Sequence, residues 1–189
     1  MPRWEQGAED RLRAAALELF LANGYENVTV AQITERAGLA RRTFSRYFAD
    51  KRDVLFAGSE QLPGAFAEAV RKADAALTPL EALLGALERV GDALAERVAP
   101  LAAQRQAIID ASPELQERSR TKFGDVSDAL DAALRRRGAA PSTAGMLADV
   151  GVAIFRTAFR RWVEQPDAAA LSARVREAAA ELGHALDRR

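Results

Sequence analysis

Apolar side chains recur every three or four positions along most of this 189-residue chain. That interval lines one face of a helix. The first stripe, Leu12, Ala16, Leu19 and Phe20, predicts a helix over about 8–22. Asn23-Gly24 ends it, since glycine accepts the left-handed conformation that follows a helix. Thr29 and Gln32 form a capping box and start a short helix to 36 or 37, with Ile33 and Ala37 facing inward. Gly38 permits a tight turn. A third helix follows over about 41–48, with Phe44 and Phe48 one turn apart on its buried side.

Asp50 caps a fourth helix carrying Val54, Leu55 and Phe56, which the pattern continues, kinked at Pro63, to about 72. Thr78-Pro79-Leu80-Glu81 starts a fifth helix to about 98, combining an N-cap, a first-turn proline and a box-closing glutamate. Pro100 opens a sixth helix. Ser112-Pro113 opens a seventh that ends near Arg137-Gly138. After a loop at 138–142, an eighth runs to about 164 and a ninth from beyond Pro166-Asp167 to about 187. Alternating strand patterns are nearly absent. The expectation is an all-α chain of about nine helices, with a small N-terminal domain at 1–56 and a helical bundle at 57–189.

The eighth helix is apolar nearly all round, which predicts burial on more than one side. A partner helix from a second subunit would supply the extra cover. With the matching stripe on the ninth helix, this predicts a four-helix homodimer interface. Its expected members are Ala148, Gly151, Val152, Phe155, Phe159, Trp162, Val175, Ala178 and Leu182.

Composition narrows the chemistry. Hydrophobic residues make up 49%, enough for a core, and net charge is zero. There is no cysteine, which excludes disulfides, thiolate metal sites and a catalytic thiol. The single histidine, His184, sits between Leu182 and Leu186 and reads as a packing or surface residue. No phosphate-binding glycine loop or metal-ligand cluster is present, so neither an enzyme, a cofactor nor a metal is expected. The segment 1–10 lacks the apolar run of a signal peptide, and no stretch is long and apolar enough to span a bilayer. A soluble, cytoplasmic protein is expected, with no membrane partner.

The zero net charge hides a local excess. Between Arg36 and Arg52, six basic side chains face Asp50 alone. On charge alone this could be a solvated face; its position changes the reading. The second and third helices form a helix-turn-helix frame, in which Leu39, Phe44 and Phe48 fix the third helix to the core. Its other face then carries Arg41, Arg42, Thr43, Ser45, Arg46 and Tyr47. A single helix fits the major groove of double-stranded DNA, and arginine reads guanine edges there. Hydroxyls and Lys51 suit phosphate contacts.

The segment TVAQITERAGLARRTFSRYFADKRDVLF, 29–56, closely resembles the DNA-binding signature of the TetR family of bacterial regulators. The matching positions are Val28 to Val30, Ile33, Ala37 to Leu39, Thr43, Phe44, Tyr47, Phe48, Lys51, Leu55 and Phe56. With the first helix, the likeness covers about 10–56. It implies a homodimer on a palindromic operator, usually a repressor released by a small molecule. By position it implies phosphate contacts at Thr29 and Lys51, base-facing roles for Arg42 and Thr43, and a groove or backbone contact at Tyr47. Ala40 departs from the usual Ser or Thr cap, and Ser45 from the usual Tyr, with Arg41 and Arg46 available in compensation. The resemblance also implies a ligand cavity in the bundle and a pivoting fourth helix. Expected apolar lining is Phe66, Leu87, Val90, Phe123, Phe155 and Phe159, with Gln104, Arg105 and Arg120 as polar anchors, which suits a lipophilic or amphipathic effector. An activator of the same family is the nearer alternative, and a helical interaction module that binds no DNA the more distant one.

Overall fold

The computed structural model describes residues 3–187, with side chains from residue 7 onward. Met1 and Pro2, at the head of the segment expected to hold no signal peptide, lie outside the described residues. All the regular structure described is helical: α1 (Arg3–Asn23), α2 (Val30–Ala37), α3 (Arg41–Tyr47), α4 (Asp53–Phe56), α5 (Leu62–Arg71), α6 (Pro79–Val98), α7 (Ala102–Asp110), α8 (Pro113–Arg136), α9 (Pro141–Glu164) and α10 (Leu171–Asp187). The helix expected over 50–72 is divided. Its first part ends at Phe56, a 3-10 turn spans Ser59–Gln61, and α5 begins afresh with Pro63 in its first turn.

The chain forms two compact units. One comprises residues 1–60 and 104–119, the other 61–103 and 120–189. This differs from the expected division at 56/57, because a segment some fifty residues downstream returns to the N-terminal unit. The reason is apolar: Ile108, Ile109 and Leu115 are buried in one cluster with Leu12, Phe20, Ile33, Phe44, Phe48 and Phe56.

In the second unit, both sequence signals for α6 are realised. The Glu81 amide donates to Thr78 Oγ1 at 3.3 Å, and the Thr78 amide donates to Glu81 Oε2 at 2.8 Å, above a first-turn proline. The core joins α5, α6, the later turns of α8, α9 and α10 around Phe66, Leu83, Leu87, Leu130, Leu134, Phe155 and Trp162. Arg137 closes the loop after α5, its guanidinium donating to the carbonyls of Ala73 at 2.8 Å and Asp74 at 2.7 Å.

The all-round apolar character of α9 is satisfied within the chain. Helices α6 and α10 both pack on it, and Ser127 of α8 donates to Asp149 at 2.6 Å. Ala148, Gly151, Phe155, Trp162, Val175 and Ala178, expected at a dimer interface, are therefore core residues of their own chain. Val152 and Phe159 are half-buried against the same core, and Leu182 is 37% exposed. The periodicity reported burial; the cover observed here comes from α6 and α10 of the same chain.

At Gly151 α9 packs close against α6, since a Cβ there would sit 3.1 Å from both Leu83 methyls. Gly151→Val overpacks that contact. It should cost about 1–3 kcal/mol, read as a melting temperature lower by roughly 2–4 °C per kcal/mol, independent of protein concentration.

Candidate nucleic-acid interface

The reading head is assembled from local capping and then locked by packing. Thr29 starts α2 as a complete capping box: the Gln32 amide donates to Thr29 Oγ1 at 3.3 Å, and the Thr29 amide donates to Gln32 Oε1 at 2.8 Å. The Thr29 hydroxyl also donates to Gln32 Oε1, so the residue expected at a phosphate already serves the cap. Gly38 ends α2 at φ 62°. That conformation costs a residue with a Cβ roughly 1–2 kcal/mol. Such a residue would also crowd the Arg11 guanidinium, which donates to the Ala37 carbonyl and lies 3.0 Å from the Cβ position. As the sequence implied, Ala40 gives α3 no side-chain cap.

What α3 lacks in capping it recovers by burial. Phe44 and Phe48 are 1% and 2% exposed, with ring centroids 5.4 Å apart. Burying each contributes on the order of 1.5–3 kcal/mol. Leu39 packs half-buried beside them. The opposite face of α3 then carries Arg41, Arg42, Ser45 and Arg46 exposed, with Thr43 and Tyr47 half-buried. Arg46 donates to the Tyr47 hydroxyl at 2.8 Å and stands 4.8 Å over its ring. Such a face offers forked cations and hydroxyls on a rigid helix, the chemistry that reads base edges and phosphates.

The remaining members of the basic run have partners. Arg36 pairs with Glu18 at 2.7 Å, both more than half exposed, an arrangement worth little and readily exchanged for a phosphate. Arg52 pairs with Asp50 and, at 3.3 Å, with Glu114. The Arg52 guanidinium and two backbone amides hold the Asp50 carboxyl below its ordinary range.

Lys51 is the clearest departure from expectation. Its ammonium donates to the carbonyls of Tyr25 at 2.9 Å, Val28 at 3.1 Å and Glu26 at 3.4 Å, and it lies 4.1 Å from the centroid of the Tyr25 ring. An ammonium has three protons, and here all three have acceptors. The structure thus has Lys51 bracing the turn that leads into α2.

Sequence reasoning missed the second support of that turn. Ser112 donates to Glu26 Oε1 at 2.8 Å across 86 residues, and the Tyr25 hydroxyl donates to Glu114 at 3.5 Å across 89. Burial and the nearby Glu114 and Asp50 carboxylates push the Tyr25 phenol upward, so it stays a donor. No local pattern signals contacts at such separations. Of the expected pocket residues, Phe66, Leu87 and Phe155 are core of the second unit, and Val90, Phe123 and Phe159 pack half-buried against it. Arg120 is exposed on α8, while Gln104 and Arg105 belong to the first unit.

A helix-turn-helix with one face packed and the other cationic has the form of a DNA-reading head. Residues 12–57 match the family model for bacterial regulatory proteins of the tetR family. Residues 12–57 thus carry the DNA-binding signature of the TetR family of transcriptional regulators. It is 43% identical over 81 residues to the HTH-type transcriptional regulator TcmR of Streptomyces glaucescens; that match covers 43% of this chain and 36% of TcmR, so it spans about a third of that relative. NalD, the secondary repressor of the MexAB-OprM multidrug efflux pump in Pseudomonas aeruginosa, superposes with a TM-score of 0.65 at 17% identity, over 95% of this chain and 96% of that one. A SmeT–triclosan complex superposes at 0.64 with 19% identity, over 92% and 90% of the two chains. Among the described residues no helix is long and apolar enough to cross a membrane.

The bracing role of Lys51 has a distinct signature on DNA. Lys51→Met should lower the melting temperature and weaken operator binding while leaving the slope of log affinity against log salt unchanged. A lysine that met a phosphate would instead take about 0.9 from that slope. Fluorescence anisotropy at several salt concentrations measures the difference.

Proposed function

We propose that the protein is a homodimeric repressor that binds a palindromic operator through α2 and α3 and is released by a small lipophilic or amphipathic molecule. The observation that carries DNA recognition is the division of α3 into a buried aromatic face and an exposed face bearing Arg41, Arg42, Thr43, Ser45, Arg46 and Tyr47. In this reading the first unit is the DNA-binding domain and the second holds the ligand and the dimer contact. DNA as the partner places the protein in the cytoplasm.

Dimerisation follows from the target, because two heads one helical turn apart read two half-sites. The dimer contact rests on what α9 and α10 leave uncovered. Met146 is 61% exposed, Leu182 37% and Leu186 68%. In the second unit Val90, Phe123 and Phe159, apolar and half-buried, are the wall residues through which an effector reaches the core. Linkage supplies the switch: an effector that prefers the conformation unable to span both half-sites weakens DNA binding by that same preference. Repression is favoured by the family and is the activity of NalD, which shares the fold over nearly the whole chain.

The decisive experiment is anisotropy of the purified protein on the DNA flanking its own gene, at two salt concentrations, beside a scrambled duplex. Preferential, salt-sensitive binding to the native fragment is expected. Failure to bind either duplex at low salt would overturn the DNA reading. Arg42→Ala should cost about 1–3 kcal/mol and relax sequence preference, with an unchanged melting temperature. Size-exclusion chromatography with light scattering should give twice the chain mass, falling towards one when Met146 and Leu186 are both replaced by Glu.

A further inference from the structure

Helix α3 is anchored from its middle onward, but its start has no cap. Phe44 and Phe48 hold the second half and fix its rotation. Arg41 and Arg42 belong to the first turn, where Ala40 supplies no side-chain hydrogen bond and no acidic residue follows. The first amides of a helix have no partner within it, so an uncapped start frays and tilts easily. The placement of that turn therefore passes to the segment before it, Ala37-Gly38-Leu39.

The amides of this segment are satisfied by α2 itself. Gly38 donates to the Glu35 carbonyl at 3.0 Å and Leu39 to the Thr34 carbonyl at 2.9 Å. Its carbonyls lie at the end of α2, where no later amide of that helix can reach them. Arg11 reaches them from α1. Its Nη2 donates to the Ala37 carbonyl and approaches the Gly38 carbonyl at 3.5 Å. Ala8, Leu12 and Ala15, all within about a turn of Arg11, are buried, so the helix that carries the arginine cannot rotate away. The cation also stands at the negative, C-terminal end of the α2 dipole. Gly38 leaves room for it: φ is 62° there, and a Cβ would sit 3.0 Å from Arg11 Nη2.

We propose that Arg11 is a positioning residue for base recognition. By clamping the α2–α3 turn from α1, it sets the placement of Arg41 and Arg42 and takes over the task of the cap that Ala40 lacks. Its guanidinium acts on the turn, so its contribution is to sequence preference rather than to phosphate attraction. This inference rests on the DNA-reading role proposed above.

The test uses the full chain as wild type, Arg11→Ala, Ala40→Ser and the double variant. Anisotropy is measured on the DNA flanking its own gene and on a scrambled duplex, across a salt series and well below the melting temperature. Arg11→Ala should lose about fivefold in preference for the native fragment, the factor that goes with one ordinary hydrogen bond. Its affinity for the scrambled duplex and its salt slope should stay as in the wild type. Ala40→Ser supplies the cap; it should change the wild type little and restore most of the preference in the double variant. A merely destabilised fold would melt lower without that rescue. The proposal is overturned if Arg11→Ala keeps the wild-type preference, or if Ala40→Ser restores nothing. It is also overturned if Arg11→Ala weakens both duplexes equally with a salt slope smaller by about 0.9, as loss of a phosphate contact does. Hydrogen exchange of the protein alone separates the clamp from the DNA reading. Faster exchange over residues 38–44 in Arg11→Ala, with 30–35 unchanged, supports the clamp; a wild type that binds neither duplex then sinks the DNA reading alone. Unchanged exchange at 38–44 overturns the clamp whatever the DNA does.

Discussion

Burial of Phe44 and Phe48 against the helices of the first unit is the constraint on which the rest depends. Helix α3 is seven residues long and lacks a side-chain N-cap. A helix that short is marginal alone, because nucleation is costly and few hydrogen bonds follow. Two aromatic anchors replace the missing local stability and also fix rotation about the helix axis. That rotation decides which side chains face outward. Arg41 and Arg42 are presented as they are because their neighbours one turn on cannot leave the core.

Around this anchor the unit uses much of its charge internally. Lys51 holds three carbonyls of the turn before α2, and Asp50, Arg52 and Glu114 form a connected set between the turn before α4 and the start of α8. Ser112 adds a hydrogen bond to Glu26 in the same turn. The consequence is that the basic run is not one uniform phosphate-binding surface. Its exposed arginines on α3 face outward, while its C-terminal members stiffen the frame. Stiffening matters to recognition, since a reading helix held loosely loses the geometric advantage of paired hydrogen bonds.

The second unit solves a different problem. Helix α9 is apolar on several sides, and α6 and α10 cover it within one chain. Gly91 and Gly151 allow that closeness: a Cβ at either would come within 3.4 Å of a core side chain. The apolar surface that α9 and α10 leave exposed is accordingly smaller than the stripe suggests, and it consists of Met146, Leu182 and Leu186 rather than the aromatic core.

Local chemistry alone determined much of this protein. The capping boxes at Thr29 and Thr78, the turn at Gly38, the weak start of α3 at Ala40 and the inward placement of Phe44 and Phe48 follow from residue type and spacing. Each depends on atoms within about one helical turn, so the helix-turn-helix and the face it presents are legible in the order of the residues. Tertiary structure decided the rest. It assigned Lys51 to backbone carbonyls, returned residues 104–119 to the first unit, and buried Phe155 and Trp162 in the core of the second. The physical reason is common to all three. Periodicity reports that a side chain is buried, and charge reports that it needs a partner, but the identity of the neighbour is set by residues tens of positions away.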